Sequence, residues 1–357
     1  MMNNKKILLS GNEAIARGAI QAGCGFYAGY PITPQNELIG YMSNHLRDSG
    51  GVFIQAESEL AAINMVYGAA ASGARAMTSS SSPGISLMQE GISYLAGSAL
   101  PAVIVNIMRG GPGLGNIAPA QSDYFQATRG GGHGDYRLIV LAPDSVQEAY
   151  DLTREAFYLS DKYRVPAMIL GDGVLGQMME PVELSVKKAK MGDKSGWCLS
   201  GCQGRQPHVV KSFFLREGEL EKFNLKLQKV YRRIEEKEAR CEEMFLAGAE
   251  IILVAYGTMA RIAKSVIMRL RNEGKKIGLI RPVSLWPFPR EAFRAAGRNT
   301  EYLVLEMSYG QMLEDVRLAV AGRRKIEFLG RSGGGILSEG EIIDKIRSLI
   351  RKPGGRK

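Results

Sequence analysis

Cysteine is scarce. The 357-residue chain has four, Cys24, Cys198, Cys202 and Cys241, too few and too scattered for a disulfide framework in a protein of this size. Cys198 and Cys202 are spaced C-x3-C with only His208 near enough to join them. Structural metal sites usually take four ligands, so no metal is expected there. Long apolar runs are also missing. None reaches the length of a membrane span, and MMNNKKILLSG at the start lacks a secretory hydrophobic region of the right length and flanks. A cytoplasmic protein is expected. Nucleic-acid-binding motifs are absent too, although the net charge is +10 from 46 basic and 36 acidic residues. The basic residues either have acidic neighbours or sit at the tail (Arg351, Lys352, Arg356, Lys357). The excess favours acidic partners, either phosphorylated ligands or an acidic protein, and much of it reads as solvated surface.

What is present is a globular composition, 45% hydrophobic and 23% charged, in a chain long enough for two domains. Residues 1–185 alternate apolar strands (near 25–30, 52–56, 74–78, 102–108, 138–141 and 165–170) with helices (12–22, 35–46, from 59, 84–96 and 145–159). That is the pattern of an α/β domain with a parallel sheet. Residues 186–245 break it. They hold a charged helix with an apolar stripe at Leu220, Phe223, Leu227, Val230 and Ile234, expected to lie on a neighbouring surface. A second, smaller doubly wound α/β unit is expected over 246–357. Its strands fall near 251–255, 276–281, 302–307 and 326–329, and its helices at 259–272, 289–296, 311–321 and 338–350.

Ligands of parallel sheets bind beyond the carboxyl ends of the strands. Three loops rich in Gly, Pro, hydroxyl and charged residues leave such ends: GYPITPQ (29–35), TSSSSPG (78–84) and RGGPGLGNIAPAQSD (109–123). Connections of this kind are rich in such residues anyway. The stretch FIQAESELAAINMVYGAAASGA (53–74) adds two carboxylates, Glu57 and Glu59, at the start of a helix of very small residues. Ser58 can cap that helix and Glu59 falls in its first turn, a placement that by itself only stabilises the helix end. Two other signals are weak. Gly113, Gly115 and Ala118 fit the dinucleotide pattern G-x-G-x-x-A, but Pro119 stands where its helix should begin and the strand before it is not the first. GDG at 171–173 has no Asn after it until Asn224, so it is read as a strand end rather than a magnesium site.

Taken together, GNEAIARGAIQAGCGFYAGYPITPQNEL, AESELAAINMVYGAAASGARAMTSSSSPGISLMQEG and VNIMRGGPGLG resemble the alpha subunit of the 2-oxoacid:ferredoxin oxidoreductases, of the 3-methyl-2-oxobutanoate or 2-oxoglutarate type. LVAYGTMARIAKSVIMRLRNEGKKIGLIRPVSLWPFP and LEMSYGQMLEDV are similar to that family's transketolase-C-like domain, so the resemblance covers essentially the whole chain. It implies a pyrimidine-side thiamine-diphosphate domain at 1–185, a linker at 186–245 and a transketolase-C-like domain at 246–357. The diphosphate and its Mg2+ would sit on a separate beta subunit. Iron–sulfur clusters would belong to gamma and delta partners, with none in this chain. The reaction implied is coenzyme-A-dependent oxidative decarboxylation of a 2-oxoacid, with electrons passed to ferredoxin.

By the same resemblance Glu59 is the catalytic, cofactor-binding glutamate, exchanging a proton at N1' of the pyrimidine, with Glu57 the weaker candidate. Thr33 would contact the substrate carboxylate, Arg109 would pair through its planar fork with an anionic ligand, the substrate or coenzyme A, and Ser82 would line the cofactor pocket. The short chain, without a fused beta domain, favours a branched-chain 2-oxoacid and then 2-oxoglutarate. Two other readings are a noncatalytic interaction subunit, against which Glu59 and Thr33 are intact, and a nicotinamide-dependent oxidoreductase.

Overall fold

In the computed structural model the described residues are 6–184, 192–294, 300–322 and 324–351. The chain opens with β1 (Lys6–Ser10), whose last residue starts α1 (Gly11–Gln21) through a capping box. Glu13 N donates to Ser10 Oγ at 3.2 Å and Ser10 N to Glu13 Oε2 at 2.8 Å, satisfying two otherwise free N–H groups. Then come β2 (Phe26–Gly29), α2 (Asn36–His45), β3 (Val52–Gln55), α3 (Glu59–Ala71), β4 (Ala76–Ser80), α4 (Ser82–Gly97) and β5 (Val103–Met108). A short α5 (Tyr124–Arg129), β6 (Ile139–Leu141), α6 (Val146–Tyr163), β7 (Ala167–Asp172), a one-turn α7 (Gly173–Gln177) and β8 (Met179–Glu183) complete this part. The α/β reading of residues 1–185 matches these elements, apart from β1 and β8, which pair antiparallel with each other.

Beyond it lie α8 (Glu219–Glu238), β9 (Cys241–Met244), β10 (Ile251–Val254), α9 (Gly257–Asn272), β11 (Ile277–Pro282) and β12 (Ser284–Trp286). The last elements are β13 (Glu301–Glu306), α10 (Gln311–Val320), β14 (Ile326–Gly330) and α11 (Glu339–Arg351). The helix expected at 289–296 is a 3-10 segment, Arg290–Arg294, and its remainder falls outside the described residues. Residues 185–191, at the start of the expected linker, and the basic tail from Lys352 lie outside them as well.

Two sheets organise the molecule: a seven-stranded one in the order β12-β6-β7-β5-β4-β2-β3 and a five-stranded one in the order β14-β13-β10-β11-β9. All pairings in the first are parallel except that of β12, and all in the second are parallel except that of β9. The sequence reading gave neither antiparallel edge. β9 reads CEEM, with no apolar alternation, and β12 is three residues between prolines. The consequence is an exchange, because β12 comes from the later part of the chain yet closes the first sheet, pairing Ser284 with Leu141.

The stripe on α8 is rotated from expectation. Leu227, Tyr231 and Ile234 are its buried face, while Leu220 is half exposed. Tyr231 moves the seam because its ring meets Trp286 of β12 edge-on at 5.5 Å, seating the helix on the edge of the first sheet. Glu238 at its end accepts from Lys162 Nζ at 2.7 Å and Tyr163 Oη at 2.5 Å. The helix therefore lies on a neighbouring surface. Among the described residues no helix is long and apolar enough to cross a membrane.

Polar side chains tie the two sheets. The buried Asp172 carboxyl accepts from Val174 N and Leu175 N, capping α7, and from Thr258 Oγ1 at 2.6 Å and Thr258 N at 3.1 Å across the divide. The GDG aspartate is thus a cap and a tie. Burial raises its pKa, and these hydrogen bonds work against the rise. Arg281, almost fully buried, makes a two-point contact with Glu148 at 2.8 and 2.7 Å and a third bond to Glu242 at 2.7 Å.

Thr258→Val should keep the shape of this junction and remove one donor to a buried carboxyl, lowering stability by about 1–3 kcal/mol. Denaturant unfolding reads this as a lower midpoint. An unchanged midpoint would mean that the backbone donors alone satisfy Asp172.

Candidate active site

Four adjacent parallel strands, β5, β4, β2 and β3, end side by side. The residues singled out in the sequence leave those ends in the same order: Arg109, Ser82, Thr33 and Glu59. After β3 the chain passes Glu57, which is exposed, to Ser58, whose hydroxyl accepts from Ala61 N at 3.1 Å and starts α3. Glu59 is the first helical residue and is 5% exposed. Ser80 Oγ donates to its Oε1 at 3.1 Å. A Cβ on Gly84 would stand 2.0 Å from Ser80 Oγ and 2.3 Å from Glu59 Oε1, so α4 reaches this carboxylate only because that residue is glycine. A Cβ on Gly91, two turns on, would likewise stand 2.6 Å from Cγ2 of Ile63 on α3. Within this chain α4 packs close to α3 through its own glycines, while Gly68 of α3 is exposed with open space around it.

Arg109 is buried, 6% exposed. Its Nη1 donates to the Thr33 carbonyl at 3.0 Å and its Nη2 to the Leu114 carbonyl at 3.1 Å, pinning two of the strand-end loops together. Nε is buried without a hydrogen-bond partner. The guanidinium carries five N–H donors, so several remain for a ligand. Thr33, half-buried before the buried Pro34, accepts from Asn36 Nδ2 at 3.3 Å through its hydroxyl.

The Ser82 hydroxyl is engaged within the protein. It donates to Asp123 Oδ2 at 2.6 Å and accepts from Arg109 N at 3.0 Å, while Ser82 N donates to Asn106 Oδ1 at 3.2 Å. Beneath the site, Tyr27 Oη donates to Ser79 Oγ and Ser79 Oγ to Gln35 Oε1, both at 2.6 Å. Two neighbouring hydroxyls, Thr78 Oγ1 and Ser81 Oγ, are buried with no partner.

The structure thus joins Thr33, through its carbonyl, and Ser82, through its hydroxyl, each to Arg109. It sets Glu59 against α4 two residues beyond Ser82. Sequence reasoning did not single out Asn106, Asp123, Ser80 or Gly84. Asn106 had a visible signal, being the one polar residue inside the otherwise apolar strand β5. Asp123 had none. Its carboxyl pKa is raised by burial, against hydrogen bonds from Ser82 and Asn106. The dinucleotide-like glycines lie in a loop that enters no helix until Tyr124. Among the described residues no three His, Cys, Asp or Glu side chains are grouped as metal ligands. A cavity of about 890 Å³ lies elsewhere, but its Arg281, Lys264, Asp144, Glu148 and Glu242 satisfy one another. By contrast, exposed Tyr30, Leu60, Leu87, Leu114 and Ile117 stand on the segments leaving the site's strand ends.

Residues 17–196 match the family described as pyruvate flavodoxin/ferredoxin oxidoreductase, thiamine diP-bdg, and residues 249–342 match pyruvate:ferredoxin oxidoreductase core domain II. The chain is 51% identical to ketoisovalerate oxidoreductase subunit VorB of Methanothermobacter thermautotrophicus, over 96% of this chain and 97% of that one. It is 40% identical to 2-oxoglutarate synthase subunit KorA of Archaeoglobus fulgidus, over 89% and 92% of the two chains. Among solved structures, the 2-oxoglutarate:ferredoxin oxidoreductase of Magnetococcus marinus, with 2-oxoglutarate, coenzyme A and succinyl-CoA bound, superposes with a TM-score of 0.89 at 26% identity. That match covers 98% of this chain and 66% of that one. An inactive split-gene transketolase superposes at 0.59 with 13% identity, over 95% and 97% of the two chains, a likeness of fold alone.

Gly84→Ala should cost about 1–3 kcal/mol of stability, since its methyl must displace Ser80 and the Glu59 carboxylate. Gly68→Ala, with open space in a helix interior, should be neutral or stabilise by up to about 1 kcal/mol. Thermal unfolding of the two variants separates the outcomes, and equal stability would dismiss the close approach at Gly84.

Proposed function

Because the chain belongs to the 2-oxoacid:ferredoxin oxidoreductase family, we propose that it is the subunit holding the pyrimidine end of thiamine diphosphate, in an enzyme acting on a branched-chain 2-oxoacid. The observation that carries this reading is the buried carboxylate of Glu59, backed by Ser80 and closely approached by Gly84 of α4. Glu57, two residues earlier, is exposed. The partnerless buried hydroxyls of Thr78 and Ser81 fit a polar heterocycle as well. When bound, the cofactor supplies a carbanion-type nucleophile for the oxo carbon. Glu59 would hold the pyrimidine N1' and exchange a proton there, the work of a positioned acid–base group. The free donors of Arg109 and the Thr33 hydroxyl would bind the substrate carboxylate, with the guanidinium already fixed by two backbone carbonyls, so that little side-chain freedom is lost on binding.

In this reading the diphosphate and its Mg2+ sit on a beta partner, iron–sulfur clusters on further subunits, coenzyme A takes the acyl group and ferredoxin the electrons. The exposed apolar residues around the strand ends support a partner seated over the site. The higher identity to the ketoisovalerate subunit than to the 2-oxoglutarate subunits supports the branched-chain assignment.

With the partner subunits present, Glu59→Gln should leave assembly and cofactor binding in place and slow turnover by about 10²–10⁴-fold. Proton exchange at C2 of bound thiamine should slow with it. Glu57→Gln is the internal control. Near-parental exchange for Glu59→Gln, or a larger loss for Glu57→Gln, would mean that the other carboxylate does the work.

A panel of 2-oxoacids on the same complex should give the highest kcat/KM with 3-methyl-2-oxobutanoate. A higher value for 2-oxoglutarate or pyruvate would move the assignment accordingly.

A further inference from the structure

The segment from Gln121 to Phe125 is fastened, except at Asp123, to the second unit of the chain, at the residues following β10 and β13 and on α10. Gln121 N donates to Met307 O at 2.9 Å, and Met307 N returns a bond to Gln121 Oε1 at 3.0 Å. Gln121 Nε2 donates to Tyr256 O at 2.8 Å and Tyr256 Oη to Gln121 O at 3.1 Å. Gln311 accepts from Phe125 N at 2.8 Å and donates to Ser122 O at 2.6 Å, and Tyr124 Oη donates to Asp315 at 2.7 Å.

Asp123, in the middle, faces the other way. It occupies the position that would cap α5, yet its side chain makes no capping bond to that helix. Instead a single oxygen, Oδ2, accepts from Ser82 Oγ at 2.6 Å and Asn106 Nδ2 at 2.9 Å. A serine hydroxyl has one proton. With that proton committed to Asp123, its lone pairs are presented to Arg109 N, 3.0 Å away. The Arg109 carbonyl lies 3.3 Å from the same hydroxyl and is the alternative acceptor. Without Asp123 the Ser82 side chain loses the bond that fixes its χ1, and a change of rotamer carries its oxygen away from the Arg109 N–H.

We propose that Asp123 is a positioning residue through which the second unit of the chain holds Arg109 in place, by fixing the orientation of the Ser82 hydroxyl. The proposal rests on the reading of Arg109 as a substrate-carboxylate contact. It gives the later unit of the chain a part in substrate binding although none of its side chains is assigned to the site.

The test is steady-state kinetics of the complete complex, with KM for the 2-oxoacid and for coenzyme A measured separately. Asp123→Ala and Ser82→Ala should each raise KM for the 2-oxoacid by up to about tenfold, the scale of one lost hydrogen bond, with KM for coenzyme A unchanged. Asp123→Asn should stay near the parent, because both donors converge on one oxygen that an amide carbonyl can replace. Asp123→Ala combined with Arg109→Lys should be no worse than Arg109→Lys alone, since both act through one contact. Ser82→Ala carries the test if Asp123→Ala does not fold. Equal losses for both ligands, a full additive loss in the double variant, or Asp123→Asn as impaired as Asp123→Ala would overturn the proposal. So would an unchanged 2-oxoacid KM in Asp123→Ala or Ser82→Ala when Arg109→Lys raises it. An unchanged KM in Arg109→Lys itself would instead remove the substrate reading of Arg109, and this inference with it.

Discussion

Parallel pairing of β5, β4, β2 and β3 is the constraint on which the site depends. Adjacent parallel strands must all end on the same edge, so segments distant in sequence leave the sheet together. Arg109 Nη1 and the carbonyl of Thr33, 76 positions apart, meet at 3.0 Å for this reason. The same crowding sets the residue types. Where α4 crosses the start of α3, a carboxylate and a serine occupy the space a side chain would need, and glycine is the residue that leaves it to them.

Burying polar groups at such an edge has a cost that only complete pairing offsets. Most of this cluster is paired in chains: Tyr27 to Ser79 to Gln35, and Asn106 with Ser82 to Asp123. The few groups left over, Arg109 Nε and the hydroxyls of Thr78 and Ser81, lie in this same region of the sheet. A region rigid in its supports that still holds buried polar groups without partners calls for an explanation, and a ligand supplies one.

Much of this was legible in the sequence, for identifiable reasons. The strands that carry the site are short runs followed by loops with Gly, Pro, Ser or charged residues, and the capped helix after β3 begins at the residue the pattern names, Glu59. The edges were not legible. β9 and β12 hold their conformation because a partner strand is waiting, and neither CEEM nor a three-residue run between prolines carries a local preference strong enough to say so. The stripe on α8 was found but rotated, since Tyr231 was not counted as apolar until Trp286 gave it a surface. Asp123 escaped because it lies in a loop with no local signal, and only the fold turns it toward Ser82.

The exchanged strand also bears on how the molecule is made. Ser284 pairs with Leu141, so during synthesis the β6 edge of the first sheet exists before the strand that covers it. At about 5–20 residues per second the intervening chain takes on the order of ten seconds to emerge. Throughout that interval β6 presents unpaired backbone groups to whatever is nearby, the condition under which sheet edges recruit foreign strands. The β6 edge of a nascent chain is thus exposed for a defined time, and a holding chaperone or an early-arriving partner subunit would act there during that interval.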